Sequence, residues 1–381
     1  MSKPIKRKCP ACGIVKEFRA DCKTCGCRGT TPGLANSPAE LKLTPEQVQE
    51  VELEKVREKR EGKNKRIEFL EQRVLDLEEE NDVFLSLKNA VPKIIDISPK
   101  ASSKDSESAM VIAWSDWHWE ERVLPSQVSN KNEYNLDIAM QRFHNLLQGS
   151  LSWFKIHSRD TIIKTIVLAL LGDFITGSIH DDLAEGNQLP PAKAAHAVLS
   201  VIISGIKFML ENTPKDVEFV IPCHSGNHGR MTKEQRIATE AGNSLEYFLY
   251  LMLQDYFTGE KRIKFIVQDG YHSYVRFFEG AYEIRFHHGH QMNYGGGVGG
   301  LTIPVNKSIA QWNRANPNVN LDVFGHFHTR FDGNSFISNG SLIGYNAYAV
   351  SIKASYEAPS QTCFLVNREY AAKTAVMPIF V

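Results

Sequence analysis

Short apolar runs alternate with amphipathic stretches through the later part of the chain. "MVIAW", "TIVLALLG" and "VEFVIP" have strand length, and apolar positions recur at helical spacing at about residues 136–157, 192–212 and 234–257. Such alternation predicts α/β packing. Farther on, "IKFIV", "SYVRFF", "YEIRFHHGH", "LDVFGHFH", "SFISNGSLIG" and "TCFLVN" read as strands with little helix between them. Two sheets are therefore expected rather than one doubly wound sheet.

The pattern changes before residue 108. From Pro45 to about Ala90 the chain is rich in Glu, Lys, Arg and Leu. Leu53, Val56, Ile67, Leu70, Val74, Leu77 and Phe84 fall on a and d positions of a seven-residue frame that Arg60, Lys63 and Asn81 interrupt. This predicts a coiled coil, with Asn81 at an a position favouring a parallel two-stranded pairing; the alternative is one amphipathic helix packed on the main domain. The polar stretch "SPKASSKDSES" reads as a flexible linker. The expected order is a zinc ribbon at 1–30, a linker at 31–44, a coiled coil at 45–90, a linker at 91–108 and a large domain at 109–381.

Composition adds the ribbon. Five of the seven cysteines lie between Cys9 and Cys27, and Cys9, Cys12 and Cys22, Cys25 each have C-x2-C spacing. Two such pairs can close a tetrahedral thiolate shell around a structural zinc, with Cys27 competing with Cys25 for the fourth place and a small hairpin expected in the insert. An odd, clustered cysteine count suits a metal site in a reducing compartment better than a disulfide framework. Residues 1–30 carry eight Lys and Arg against two acidic residues, a local basic footprint in a chain of formal net charge +0. No apolar signal-peptide core follows the N-terminus, and the apolar runs look too short to span a membrane. The expectation is a soluble, cytoplasmic protein.

The chemistry gathers where strands end. Asp116 and His118 follow "MVIAW", Asp173 follows "TIVLALLG", and Asn227 and His228 follow "VEFVIP". In "YEIRFHHGH", strand alternation puts His288 on the face of Ile284 and Phe286, with His287 opposite; "LDVFGHFHT" offers His326 and His328. Ends of neighbouring strands are where α/β folds place their sites. Two carboxylates, a carboxamide and four imidazoles suit manganese, iron or zinc rather than calcium. Seven ligands exceed the need of one ion. If Asp173 bridges, two ions can each take four protein ligands, the arrangement for two-metal hydrolysis of a phosphate ester.

The series Asp116-x-His118, Gly172-Asp173, Gly226-Asn227-His228, His288-Gly-His290 and Gly325-His326-x-His328 resembles the calcineurin-like metallophosphoesterase superfamily over most of residues 110–330. The resemblance implies a four-layer α/β/β/α sandwich and two divalent metals, manganese foremost. One would be held by Asp116, His118, Asp173 and His328, the other by Asp173, Asn227, His288 and His326. It makes His228 the acid beside the scissile phosphate. That superfamily often has Asp or Glu after this histidine, whereas Gly229 and Arg230 follow here, so the partner that orients His228 is left open. Arg230 is a candidate clamp for a phosphate oxygen. His180, His224 and His290 are candidate substrate contacts, His287 a packed or solvated strand residue, and "YGGGVGG" a mobile loop over the cleft rather than a phosphate-binding loop.

A basic ribbon joined through a dimer-forming coil to such a site is most similar to double-strand-break repair nucleases of the SbcD type. The leading expectation is a homodimeric DNA nuclease. A phosphodiesterase or phosphatase acting on small nucleotides or phosphoprotein is the alternative, and a non-catalytic dimeric phosphate-recognising scaffold the third.

Overall fold

The computed structural model describes residues 6–8, 15–17, 44–89, 106–179, 181–293, 300–351 and 353–381. The chain divides into two units, Met1–Ser98 and Pro99–Val381. In the first, β1 (Lys6–Lys8) pairs antiparallel with β2 (Val15–Glu17), Lys6 opposite Glu17. The two strands flank Cys9 and Cys12 in sequence, so the pairing straddles the first cysteine pair and is not confined to the insert. Cys9, Cys12, Cys22, Cys25 and Cys27 themselves lie outside the described residues.

The helical stretch is one helix, α1 (Pro45–Asn89). It starts as its sequence dictates. Thr44 Oγ1 accepts from the Gln47 amide while Gln47 Oε1 accepts from that of Thr44, a reciprocal cap with Pro45 at the first helical position. The apolar heptad residues are all exposed, from 46% at Leu70 to 65% at Phe84.

The second unit begins with β3 (Glu107–Trp114), so Glu107 and Ser108 belong to a strand and not to the linker. Then come α2 (Leu136–His157), β4 (Ile162–Leu170), α3 (Asp181–Gly186), α4 (Pro191–Asn212), β5 (Glu218–Cys223), α5 (Leu245–Tyr256) and β6 (Ile263–Val267). After these run β7 (Ser273–Phe277), β8 (Tyr282–Phe286), α6 (Thr302–Trp312), β9 (Leu321–Phe324), β10 (Phe331–Asp332), β11 (Phe336–Ser338), α7 (Ala347–Ser351), β12 (Ser360–Asn367) and β13 (Ala372–Phe380). One sheet has the order β13-β12-β3-β4-β5-β6, the other β10-β11-β9-β8-β7. From β3 to β6 the first sheet is parallel.

Alternation along the strands builds the layers. Met110, Ile112 and Trp114 of β3 and Ile166, Leu168 and Leu170 of β4 face a core shared with α2, α4 and α5. Their neighbours Ala109, Val111, Ala113, Val167 and Ala169 face a second core, against Ile284, Phe286, Leu321 and Val323 of the other sheet. Behind that sheet, α6 packs Val305 and Ile309 on Phe324 and Phe336. The order is helices, sheet, sheet, helix, so the unit is a mixed α/β sandwich of four layers. Each large side chain buried in these cores contributes about 1.5–3 kcal/mol.

Three elements differ from expectation. The helix expected at 234–257 starts only at Leu245, because Ser244 caps it by accepting from the Tyr247 amide. Helix α6 and the edge strand β13 were not anticipated. Finally, α4 is apolar and long enough by composition to span a membrane, contrary to the reading of its short runs. Here it serves as a core helix, with Val198, Ile202, Ile206 and Met209 buried.

Candidate metal centre

Strands β3, β4 and β5 end side by side in one sheet, and β8 and β9 end side by side in the other. Just past these ends the backbone turns left-handed at Asp116 (φ 54°), His118 (φ 46°), Asp173 (φ 52°), His326 (φ 70°) and His328 (φ 52°). Such φ values are uncommon outside glycine and cost roughly 1–3 kcal/mol each. Asp116 and His118 therefore converge through a strained turn, because β3 already ends at Trp114; strand alternation is not what aligns them.

Hydrogen bonds pin these turns. The amides of Asp116 and His118 donate to the carbonyls of Gly172 and Asp173, at 2.9 and 3.1 Å. The His326 amide donates to Asp116 Oδ1 at 2.9 Å, and the His228 amide to Asp173 Oδ1 at 2.8 Å. Gly172, at φ 89°, lets the loops after β4 and β5 touch: a Cβ there would stand 2.2 Å from the Gly226 nitrogen.

Three overlapping clusters result: Asp116, His118 and His328; His118, Asp173 and His228; Asp173, His288 and His326. Within each, the ligand atoms lie within 4.8 Å of one another. Nε2 of His118 is 3.1 Å from Nε2 of His328, which is 3.5 Å from Asp116 Oδ1. Nε2 of His288 is 2.9 Å from Asp173 Oδ2.

Burial, reinforced by neighbouring imidazoles, holds His118 well below its ordinary pKa and takes His328 to about 4. Both are thus neutral imidazoles, each with one ring nitrogen that carries a lone pair. Burial also lifts Asp116 to about 7. It opposes charge on His288 as well, but Asp173 and then Asp116 outweigh it and raise that imidazole to about 10. Asp173 is held well below the usual carboxylate range by His288 and His228 in spite of its burial.

These groups fit divalent cations. Asn227 Oδ1 is buried with no hydrogen-bond partner among the described residues, and such an orphan costs free energy unless something takes its lone pair. His118 and His328 bring two neutral imidazoles, each with a lone pair to give, to the same point. Carboxylate, carboxamide and imidazole together suit manganese, iron or zinc.

The orientation of His228 is answered by the backbone. Its Nδ1 lies 3.0 Å from the Thr176 carbonyl, which can only accept, so Nδ1 carries a proton and donates. No carboxylate is needed next to it in sequence. Gly229 instead makes room for Glu246, whose Cγ would stand 2.8 Å from a Cβ at that position. Glu246, fully buried, accepts from the amides of Phe174 at 2.6 Å, Gly226 at 2.7 Å, Asp173 at 3.2 Å and Ile175 at 3.3 Å. Glu120 likewise accepts from the amides of Thr176 and Gly177 at 3.0 and 2.9 Å. Sequence reading missed both carboxylates. Glu246 looks like an ordinary first-turn helix acid, and the one hint was the small residue at 229.

The remaining candidates separate. Arg230 Nη1 donates to the Asn227 carbonyl at 2.8 Å, and its Nε is buried without a hydrogen-bond partner among the described residues. It thereby braces the Asn227 loop. His290 sits 2.9 Å from Glu240 and has its ring against His288 and His326. His224 is built into the core, with Nε2 2.7 Å from Ser273 Oγ and its carbonyl accepting from Tyr250. His287 is packed: it is buried, stacked on Phe324 and 3.3 Å from Asp322. His180 and most of "YGGGVGG" lie outside the described residues.

The chain matches no protein-family model and no curated protein. Among solved structures it is similar to a dimetal phosphatase from Danio rerio, at 10% identity over 71% of this chain and 98% of that one, with a TM-score of 0.35. A conserved Streptococcus pneumoniae protein described as a predicted phosphoesterase matches over the same shares at 10% identity and a TM-score of 0.26. Vps29 from Chaetomium thermophilum matches at 12% identity over 71% of this chain and 94% of that one, with a TM-score of 0.26. Likenesses this distant carry no chemistry, and the functional reading rests on the side chains at the strand ends.

Proposed function

We propose that residues 109–381 form a two-metal phosphoester hydrolase acting on phosphodiesters, with DNA as the leading substrate. The observation that carries this is the convergence of Asp116, His118, Asp173, His228, His288, His326 and His328 from two sheets into three overlapping clusters, with the Asn227 carboxamide oxygen buried and without a hydrogen-bond partner among the described residues. Asp116, His118, Asp173 and His328 would hold one ion, and Asp173, Asn227, His288 and His326 the other. Bound cations would polarise phosphoryl oxygens and supply a nucleophile from water at neutral pH. His228, with Nδ1–H committed to the Thr176 carbonyl, presents Nε2; as the imidazolium it would deliver the Nε2 proton to the leaving oxygen and be left as the neutral Nδ1–H tautomer. Arg230 keeps Asn227 in place from behind.

The choice of DNA draws support from the first unit. Its basic N-terminal segment suits phosphate contacts, and the exposed apolar row on α1 suits pairing with a second copy as a parallel coil. A structural zinc on Cys9, Cys12, Cys22 and Cys25 belongs to the same proposal. The test is a side-by-side assay with manganese of labelled single- and double-stranded DNA, cyclic dinucleotides and p-nitrophenyl esters. Cleavage of DNA chains well above the other substrates is expected. Turnover confined to cyclic dinucleotides or monoesters would replace the nuclease reading with that of a nucleotide phosphodiesterase or phosphatase.

A further inference from the structure

Helix α1 changes character between Val56 and Ile67. Residues 57–66 carry six Lys and Arg against two Glu, with Arg60 on the a position and Lys63 on the d position, where the seven-residue frame calls for apolar side chains. Helical spacing sorts these charges. Lys59, Arg60, Lys63 and Arg66 share one face, about 10 Å long, and Glu54, Glu58 and Glu61 share the opposite one. All four cations are exposed.

A charged helix that is merely solvated sets opposite charges three or four residues apart. This face does the reverse. No carboxylate stands three or four positions from Lys59, Arg60, Lys63 or Arg66, whereas Lys63 has Lys59, Arg60 and Arg66 at those spacings. Arg66 lies over the Phe69 ring, 5.4 Å from its centre, and among the described residues none of the four forms an ion pair. Like charges at these spacings destabilise the isolated helix, and a bound anion relieves them. A second copy paired in parallel cannot, because it sets Arg60 against Arg60 and Lys63 against Lys63. A bilayer does not fit either: between Val56 and Ile67 the helix has no apolar side chain to insert, and its opposite face is acidic. A row of cations matches a row of anions. Double-stranded DNA supplies one, with a phosphate charge per about 1.7 Å of its axis and a major groove that admits an α-helix.

We infer that the face of α1 formed by Lys59, Arg60, Lys63 and Arg66 binds the phosphate backbone of a DNA duplex without regard to base sequence. The inference deepens the nuclease reading and rests on it for the choice of DNA among polyanions. Lys and Arg side chains on phosphates fix the position of a duplex and carry no sequence information.

The test is equilibrium binding of the full-length protein to labelled DNA and RNA duplexes over a series of salt concentrations, with phosphorothioate backbones that keep their charge and resist cleavage. The comparison is with a variant carrying Lys59→Gln, Arg60→Gln, Lys63→Gln and Arg66→Gln, exposed positions at which glutamine has nearly the same helix propensity. On DNA the substitutions should make the slope of log K against log salt shallower by about 3–4, since each phosphate contact contributes about 0.9. A Lys59→Arg, Lys63→Arg variant should keep the slope, and all three proteins should hydrolyse bis(p-nitrophenyl) phosphate alike. An unchanged slope in the glutamine variant overturns the inference, as does a slope change larger on RNA than on DNA. Loss of self-association by that variant, read by sedimentation, also overturns it, because the row would then lie on the acidic stretch from Asp76 to Asp82 of a second copy. The expected slope change in a protein that hydrolyses no phosphoester would leave the DNA contact standing and remove the hydrolase reading.

Discussion

Asp173 stands at the centre of the candidate site, belonging to two of the three clusters and receiving the His228 amide on Oδ1 while His288 faces Oδ2. Asp173→Asn should therefore remove cleft metal and abolish hydrolysis, leaving any zinc bound by residues 1–30; elemental analysis showing two cleft ions retained with normal turnover would exclude the bridging role. His228 makes a different prediction. A positioned acid contributes about 10²–10⁴-fold, and does so where the leaving group is a poor one. His228→Ala should then lose far more rate on DNA than on a p-nitrophenyl ester, and equal losses would make it a structural residue. At this scale the sequence was informative because carboxylate, carboxamide and imidazole side chains recur, in order, after five apolar runs. What it concealed was backbone conformation. Nothing in Asp116 or His118 announces a positive φ, and the Thr176 carbonyl that orients His228 is a backbone atom that no side-chain pattern encodes.

Among the elements, β3, β4, β5, α2 and α4 were legible because each buries one periodic face in a core. Helix α6 was not, since its short apolar stripe follows a glycine-rich run that reads as loop. Strand β13 was hidden by Pro378, which an edge strand tolerates where a central one would not. The least visible contribution is that of α5, whose Glu246 ties the loop after β4 to the loop after β5 through four amides. Glu246→Ala should leave those donors buried and unpaired. A loss of at least about 1–3 kcal/mol, the cost of one buried amide left without a partner, is expected, read as a lower thermal midpoint together with weaker cleft metal binding. If the midpoint and metal content both stay at the unaltered values, Glu246 does not position the ligand loops. Gly172→Ala should be comparably harmful, because its Cβ would meet backbone, which cannot swing away.

For the molecule as a whole, every candidate ligand of the cleft lies in one unit, while the cysteine pairs, the basic segment and the exposed apolar row lie in the other. Removing residues 1–100 should leave a folded monomer that still hydrolyses a small phosphodiester. Cleavage of long DNA should fall and lose much of its salt dependence, since phosphate contacts by Lys and Arg release counterions; sedimentation and rate-against-salt curves read both. Unchanged cleavage of long DNA at every salt concentration would reassign the N-terminal unit to a protein partner. The ligand set has a further effect, because Asp116, Asp173 and Asn227 follow strands of one sheet while His288, His326 and His328 follow strands of the other. An ion held between them fastens layer to layer, and the unfolded chain has no such site. Cation concentration then becomes a thermodynamic variable of the fold. Above saturation each site should add about 1.4 kcal/mol of stability per tenfold rise in free manganese. The melting temperature should climb steadily with the logarithm of that concentration, by roughly 2–4 °C per kcal/mol, and chelation should return it to a floor.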